Sequence, residues 1–177
     1  MTGKNVDFVD RARQGWERSR PELDVSSIEV MGRIGRIAAL ASQRAGRELL
    51  PAEITRAEFD VLCTLARGDG PMRASEVTAA TMLSGASTTK NAERLVKRGF
   101  IERLPWERDG RVVLMRLTAQ GEELVDREFP RLLTGDREML AGLSAKEQLQ
   151  LAALLRKIAL TIEPPAQHPP ATMPRSC

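Results

Sequence analysis

This chain is poor in the residues that do chemistry. Its 177 residues include one histidine, two cysteines and no tyrosine. The single histidine, His168, lies in the Pro-rich C-terminal stretch PPAQHPPATMPRSC, away from any partner in sequence. There is no metal-ligand cluster, no Gly-rich phosphate loop, and no Ser or Cys nucleophile placed with a base. Glu58 and Asp60 are an i, i+2 pair, which on a helix point to different faces. An enzyme is therefore not expected, and neither is a cofactor or a metal. Cys63 sits in an apolar helical run and Cys177 at the chain end, so no disulfide framework is implied and a reduced compartment is. No apolar run approaches the ~20 residues of a membrane span. The charged start MTGKNVDFVDRARQ has no apolar signal core. These absences point to a cytoplasmic protein without a membrane partner.

Aromatic residues are only 3% of the chain, against 42% for all hydrophobic types. Leu, Ile, Val, Ala and Met must then fill the core, which favours helix packed on helix. Net charge is +3, from 27 basic and 24 acidic residues. So small an excess says little about nucleic acid; a local concentration of charge says more.

Val6, Phe8, Val9, Ala12 and Trp16 fall at helical spacing within residues 4–18, and Arg20-Pro21 ends that pattern. Ser26 with Glu29 reads as a capping box. The helix it opens presents Ile28, Met31, Ile34, Ile37, Ala38, Ala41 and Ala45, and closes at Pro51. Thr55 with Glu58 is a second such box, opening a helix through Phe59, Val61, Leu62 and Leu65 that Gly68-Asp69-Gly70-Pro71 stops. After residue 118 a helix carries Leu124, Val125, Phe129, Leu132 and Leu133, with a bend expected at Pro130. Ser144 with Glu147 opens a last helix bearing Leu149, Leu151, Leu154, Leu155, Ile158 and Ile162. Residues 164–177 have the composition of a disordered tail.

Residues 75–118 carry the most information. A helix from Ser75 leads to a turn at Leu83-Ser84-Gly85. A second helix runs from Ala86 to Arg98, and Gly99 stands where a left-handed C-cap is wanted. Two β-like runs follow, Phe100–Leu104 and Arg111–Leu117, joined by Pro105–Gly110. This order predicts a winged helix-turn-helix, within a mainly α fold with a small β-wing. A helix that reads base edges needs short polar side chains near its start and cations for phosphates. Ser84, Ser87, Thr88, Thr89, Lys90 and Asn91 supply the first kind, and Arg94, Lys97 and Arg98 the second. Leu95 should anchor the opposite side. In the ribbon, Arg108 and Arg111 flank Asp109-Gly110; an arginine at the tip suits a narrow minor groove, and Asp109 is placed to bond ribbon backbone or to orient a neighbouring arginine. Trp106 is expected at the ribbon base. The bland alternatives are a solvated basic face, or a winged lobe that binds protein.

The EFDVL helix, the helix-turn-helix, and a wing of the form D-G-R-x-x-L-x-x-L-T leading straight into a long helix resemble the MarR family of bacterial regulators, over roughly residues 28–162. The resemblance implies a homodimer on double-stranded DNA, with two winged lobes on a pseudo-palindromic site. It implies five segments: an extra N-terminal helix and connection (1–24), a dimerisation helix (25–54), the DNA-binding lobe (55–118), C-terminal dimerisation helices (119–163) and the tail (164–177). The fold so implied is a winged helix-turn-helix lobe plus a helical dimerisation layer. The segment WERSRPELD after an extra helix resembles the urate-responsive and PecS-like branch. There a Trp, an Asp and two Arg residues form a ligand-response set. Trp16, Asp60 and Arg103 match three of them, while Asn91 stands where the other Arg is expected. The effector implied is therefore a urate-like or phenolic small molecule rather than urate itself. Met31, beside the room left by Gly32 and Gly35, would line the same pocket. Plain packing remains the alternative for Trp16, an ion pair within the lobe for Asp60, and a phosphate contact for Arg103. For the whole chain the alternatives are a ligand-controlled repressor and a constitutive or architectural DNA-binding protein.

Overall fold

The computed structural model describes residues 6–106 and 109–163, with the backbone alone for residues 109–112. It divides into two units, residues 1–133 and 134–177. Among the described residues the first unit opens with α1 (Phe8–Ser19) and α2 (Ile28–Glu48), followed by a 3-10 turn at Leu50–Ala52. Then come α3 (Arg56–Ala66), β1 (Met72–Arg73), α4 (Ala74–Thr81), α5 (Gly85–Lys97), β2 (Ile101–Trp106) and β3 (Asp109–Leu117). Helix α6 (Ala119–Met139) runs from the first unit into the second, which also holds α7 (Ala145–Ile162). The mainly helical fold with a small sheet is the one expected.

Helix α1 begins with a box of acids. Asp7 accepts from the Asp10 N–H at 2.9 Å, and Asp10 accepts from the Asp7 N–H at 3.0 Å. The same carboxylates tie α1 to α2, because Arg33 reaches Asp7 at 2.9 Å and Asp10 at 2.7 Å. The Asp7 backbone bond and then the Arg33 guanidinium hold the Asp10 carboxyl below the usual carboxylate range. Buried Val9 lies against Gly32, where an added Cβ would stand 3.0 Å from a Val9 methyl. The glycine thus seats the helix pair rather than leaving open space.

The Ser26–Glu29 box expected at the start of α2 does not form. The N-cap is Ser27, with no side-chain cap, and the Ser26 N–H turns back to Asp24 at 2.9 Å. The Glu29 carboxylate faces Arg13 of α1 and Arg33 of its own helix, each at 3.7 Å, instead of the Ser26 N–H, which Asp24 takes. The Thr55–Glu58 and Ser144–Glu147 boxes form as expected. Helix α6 continues through Pro130.

The core of the lobe is Leu49 and Ile54 from the α2–α3 connection, Phe59, Val61, Leu62 and Leu65 of α3, Val77 of α4, and Ala92 and Leu95 of α5. Phe100, Ile101, Met115 and Leu117 close it from the sheet, and Leu124, Val125 and Leu132 from α6. That sheet has three strands, not the expected two. Its order is β1-β3-β2, all antiparallel, with Met72 opposite Met115 and Arg73 opposite Leu114. A strand of two residues is too short to show alternation in sequence. Strand β2 also runs further than expected: Pro105 and Trp106 pair with β3, across a register shift between them.

Not every apolar face is covered. On α2, Val30, Met31, Ile37 and Leu40 are exposed. Helix α7 has no buried residue and exposes Leu149, Leu151, Leu154, Leu155 and Ile162. No described helix is long and apolar enough to cross a membrane.

Candidate nucleic-acid interface

The helix-turn-helix begins with the Arg73 N–H donating to Glu76 at 2.6 Å, which fixes the first turn of α4. Val77 is fully buried, and the Thr81 hydroxyl donates to its carbonyl at 2.7 Å. The turn itself is Met82–Ser84, one residue earlier than expected. Met82 takes φ 56°, the left-handed region, and is exposed. Ser84 is the N-cap of α5, accepting from the Ser87 N–H at 3.2 Å, so Gly85 is already helical. At the other end Gly99 has φ 75°. Its N–H donates to the Val96 carbonyl at 3.0 Å, and that of Phe100 to Leu95 at 3.0 Å. This double bond pattern satisfies the last carbonyls of a helix and needs a left-handed residue between them.

Spacing decides which side chains of α5 face outward. Thr88, Asn91, Ala92 and Leu95 are buried and follow one helical stripe. Thr88 is completely buried, with its hydroxyl 2.9 Å from that of Thr78 on α4. Asn91 donates to the Ser87 hydroxyl at 3.3 Å. The expectation that Thr88 and Asn91 contact DNA is therefore corrected: both belong to the inner face, where they bond polar partners. Counting back from Leu95 in helical steps would have placed them there. Their residue types suggested otherwise.

Outward lie Ser84, Thr89, Lys90, Glu93, Arg94 and Lys97, with Ser87 half-buried at the edge. Short hydroxyl groups near the helix start and cations further along suit base edges and phosphates respectively. Lys90, Arg94 and Lys97 outnumber Glu93 on this face. In the ribbon, Arg103 is exposed, whereas Arg116 is paired with Glu102 at 2.7 Å. Trp106 ends β2 at the turn side of the ribbon, opposite Asp109, and not at the ribbon base as expected; the Arg73 guanidinium stands 4.3 Å from its ring centre. The side chains of Arg108, Asp109 and Arg111 lie outside the described residues, as does the 164–177 segment.

Residues 52–112 match the sequence profile of the MarR family. Over 147 residues the chain is 31% identical to the transcriptional regulator PecS of Dickeya dadantii, covering 82% of this chain and 89% of that protein. The chain belongs to the MarR family of transcriptional regulators. Among solved structures, apo wild-type MarR of Escherichia coli superposes with a TM-score of 0.63 at 28% identity, over 73% of this chain and 95% of that one. BpsR of Bordetella bronchiseptica, whose DNA binding is regulated by 6-hydroxynicotinic acid, gives 0.60 at 28% identity, over 72% and 98%. As a MarR-family chain, this one is a DNA-binding regulator and not an enzyme.

The residues matched to the PecS-like ligand set are placed as follows. Trp16 on α1 is half exposed, as is Met31 on α2, and Gly35 has open space where a Cβ would go. Asp60 pairs with Arg56 of its own helix at 2.8 Å. Among the described residues, two of the clefts lie in the lobe. One, of about 400 Å³, lies among Leu65, Asp69, Arg116, Glu122 and Asp126; the other, of about 250 Å³, lies among Cys63, Arg67, Val125 and Phe129. Neither takes in Trp16, Met31, Gly35, Asp60 or Arg103. Burial, and then the Asp60 charge, push the Cys63 thiol up to about 11, which makes it an unreactive packing residue.

Proposed function

We propose that the protein is a homodimeric repressor, released from a pseudo-palindromic operator by a small anionic aromatic metabolite. The observation that carries the DNA part is the sorting of α5. Its inner stripe is sealed into the lobe, and its outer face collects Ser84, Thr89, Lys90, Arg94 and Lys97. That face would enter the major groove, and Arg111 of the wing the adjacent minor groove. The exposed apolar residues of α7 and of α2 support a dimer, since a single chain leaves them in water. Twofold symmetry then asks for half-sites about one helical turn apart.

An aromatic acid as effector is supported by the likeness to BpsR, whose DNA binding responds to 6-hydroxynicotinic acid. The half-exposed Trp16 ring offers a stacking surface. Exposed Arg103 offers a cation for a carboxylate. A bound anion would compete for the Asp60–Arg56 pair and shift the helix that α5 rests on. A coupling of roughly 1–3 kcal/mol between the sites would lower DNA affinity about 5- to 150-fold.

The test is a panel of hydroxylated aromatic acids, urate and xanthine added to the protein–DNA complex, repeated with Trp16→Ala and Asp60→Asn. Release by one compound, lost in both variants, is expected. Release that both variants retain would remove Trp16 and Asp60 from the site. A complex that no compound disturbs would favour the constitutive repressor.

A further inference from the structure

The reading helix is tied by Arg98 to the segment that joins α2 to α3, and Arg94 faces the first turn of α3. Arg98, its C-cap residue, folds back and donates to the Glu53 carbonyl at 2.5 Å and to the Ala52 carbonyl at 3.3 Å, forty-odd residues away in sequence. Its guanidinium also covers the Phe100 ring, 4.9 Å from the ring centre. One turn earlier, Arg94 stands 3.8 Å from Glu58, a buried carboxylate already bonded to the Thr55 N–H and hydroxyl at 2.9 and 2.8 Å. The connection itself is unusual. It is the 3-10 turn Leu50–Ala52 followed by Glu53, a non-glycine residue at φ 53°. Both carbonyls that Arg98 holds belong to this turn.

We propose that Arg98 is a positioning residue rather than a phosphate contact. It fixes the recognition helix to the end of α2, so that a turn of α2 is passed directly to the DNA-reading face. The side chain suits this work. A planar fork with donors at fixed spacing bridges two successive carbonyls, which the single ammonium of a lysine does not. Leu49 and Ile54, both buried with Leu95 and Ala92, pack the same junction from below, so the polar bridge and the core act on one joint. The inference rests on the DNA-binding dimer described above.

The experiment compares wild type, Arg98→Lys and Arg98→Ala. The probe is a duplex carrying the site that the wild-type protein selects from a randomised pool, titrated at several salt concentrations. A positioning role predicts that Arg98→Lys and Arg98→Ala bind about tenfold more weakly, in the range usual for coupled sites, with the salt dependence of wild type. Both should also discriminate less between duplexes whose half-sites are moved by one base pair. A phosphate contact predicts the reverse: Arg98→Lys stays close to wild type, and Arg98→Ala lowers the slope of log affinity against log salt by about 0.9. That result, or unchanged affinity and spacing preference in both variants, overturns the proposal. Thermal melts accompany each titration; if Arg98→Ala is poorly folded, Arg98→Lys and its spacing series decide the matter. A wild-type protein that selects no site overturns the DNA reading itself, a different outcome from selection with indifferent variants.

Discussion

Replacing Gly121 by alanine should unfold the lobe more easily, against the usual preference of helices. Gly121 is in the first turn of α6 and is buried. On helix propensity alone the change would stabilise by about 1 kcal/mol. The structure reverses the sign. A Cβ at this position would stand 2.1 Å from the Phe100 carbonyl oxygen, 3.1 Å from its carbon and 3.2 Å from a Leu117 methyl. An ordinary carbon–oxygen contact is ~3.3–3.6 Å, so more than an ångström must be found. Phe100 cannot give it freely. Its N–H is bonded to Leu95 and its carbonyl accepts from the Thr118 N–H at 3.1 Å. Overpacking costs about 1–3 kcal/mol, and a broken backbone bond about 0.5–1.5 kcal/mol more. Less the propensity gain, the net loss is about 0.5–3.5 kcal/mol, centred on about 2 kcal/mol. For a chain of this size the central value is a fall of roughly 4–8 °C in melting temperature. Gly46→Ala is the matched control, since Gly46 lies inside α2 with nothing within 4 Å of the added Cβ. It should melt at or above wild type. Calorimetry or circular dichroism reads both, and a Gly121→Ala protein as stable as wild type would refute the reasoning.

Other consequences can be checked alongside. Gly99→Ala places a side chain at φ 75° and should cost about 1–2 kcal/mol in a urea titration; an unchanged midpoint would contradict the left-handed cap. Thr88→Val removes the bond to Thr78 and should destabilise by about 1 kcal/mol while leaving the salt dependence of DNA binding unchanged. A shallower salt slope would mean that Thr88 does face DNA. The Cys63 thiol ionises late in the folded protein, at about 11 against an ordinary 9.0. Its protonated form is thus favoured by folding, and the stability it contributes is complete below the unfolded value and lost as pH rises toward 11. In a Cys177→Ser background, thiol-reagent labelling near pH 8 should be slow until the protein is unfolded, and fast labelling of the native state would contradict this placement.

Sequence carried the local devices well and the long-range ones poorly. Thr55–Glu58 and Ser144–Glu147 needed only each other and a free helix start, so their pattern was enough. Ser26–Glu29 had the same pattern, but Asp24 takes the Ser26 N–H. Gly99 was legible because one backbone conformation admits few residues. Thr88 and Asn91 were misplaced because polarity was weighed above periodicity, although Leu95 fixed the register of the stripe. Strand β1 exists only because Met72 and Arg73 lie beside β3, a neighbour some forty residues on. The bonds of Arg98 to Ala52 and Glu53, and the contact of Gly121 with Phe100, likewise follow from the fold and have no local signature. Among the site residues, the outer face of α5 was therefore half legible, in Ser84, Thr89, Lys90 and Arg94.

If the outer face of α5 and the wing bind operator DNA through phosphates as well as bases, affinity must depend on salt. The most direct measurement is an equilibrium titration of the DNA upstream of its own coding sequence across a series of salt concentrations, with a footprint at the tightest point. The expected result is one protected site with half-sites about a helical turn apart, and an affinity that falls steeply as salt rises. No site-specific protection at low salt, or an affinity indifferent to salt, would contradict it.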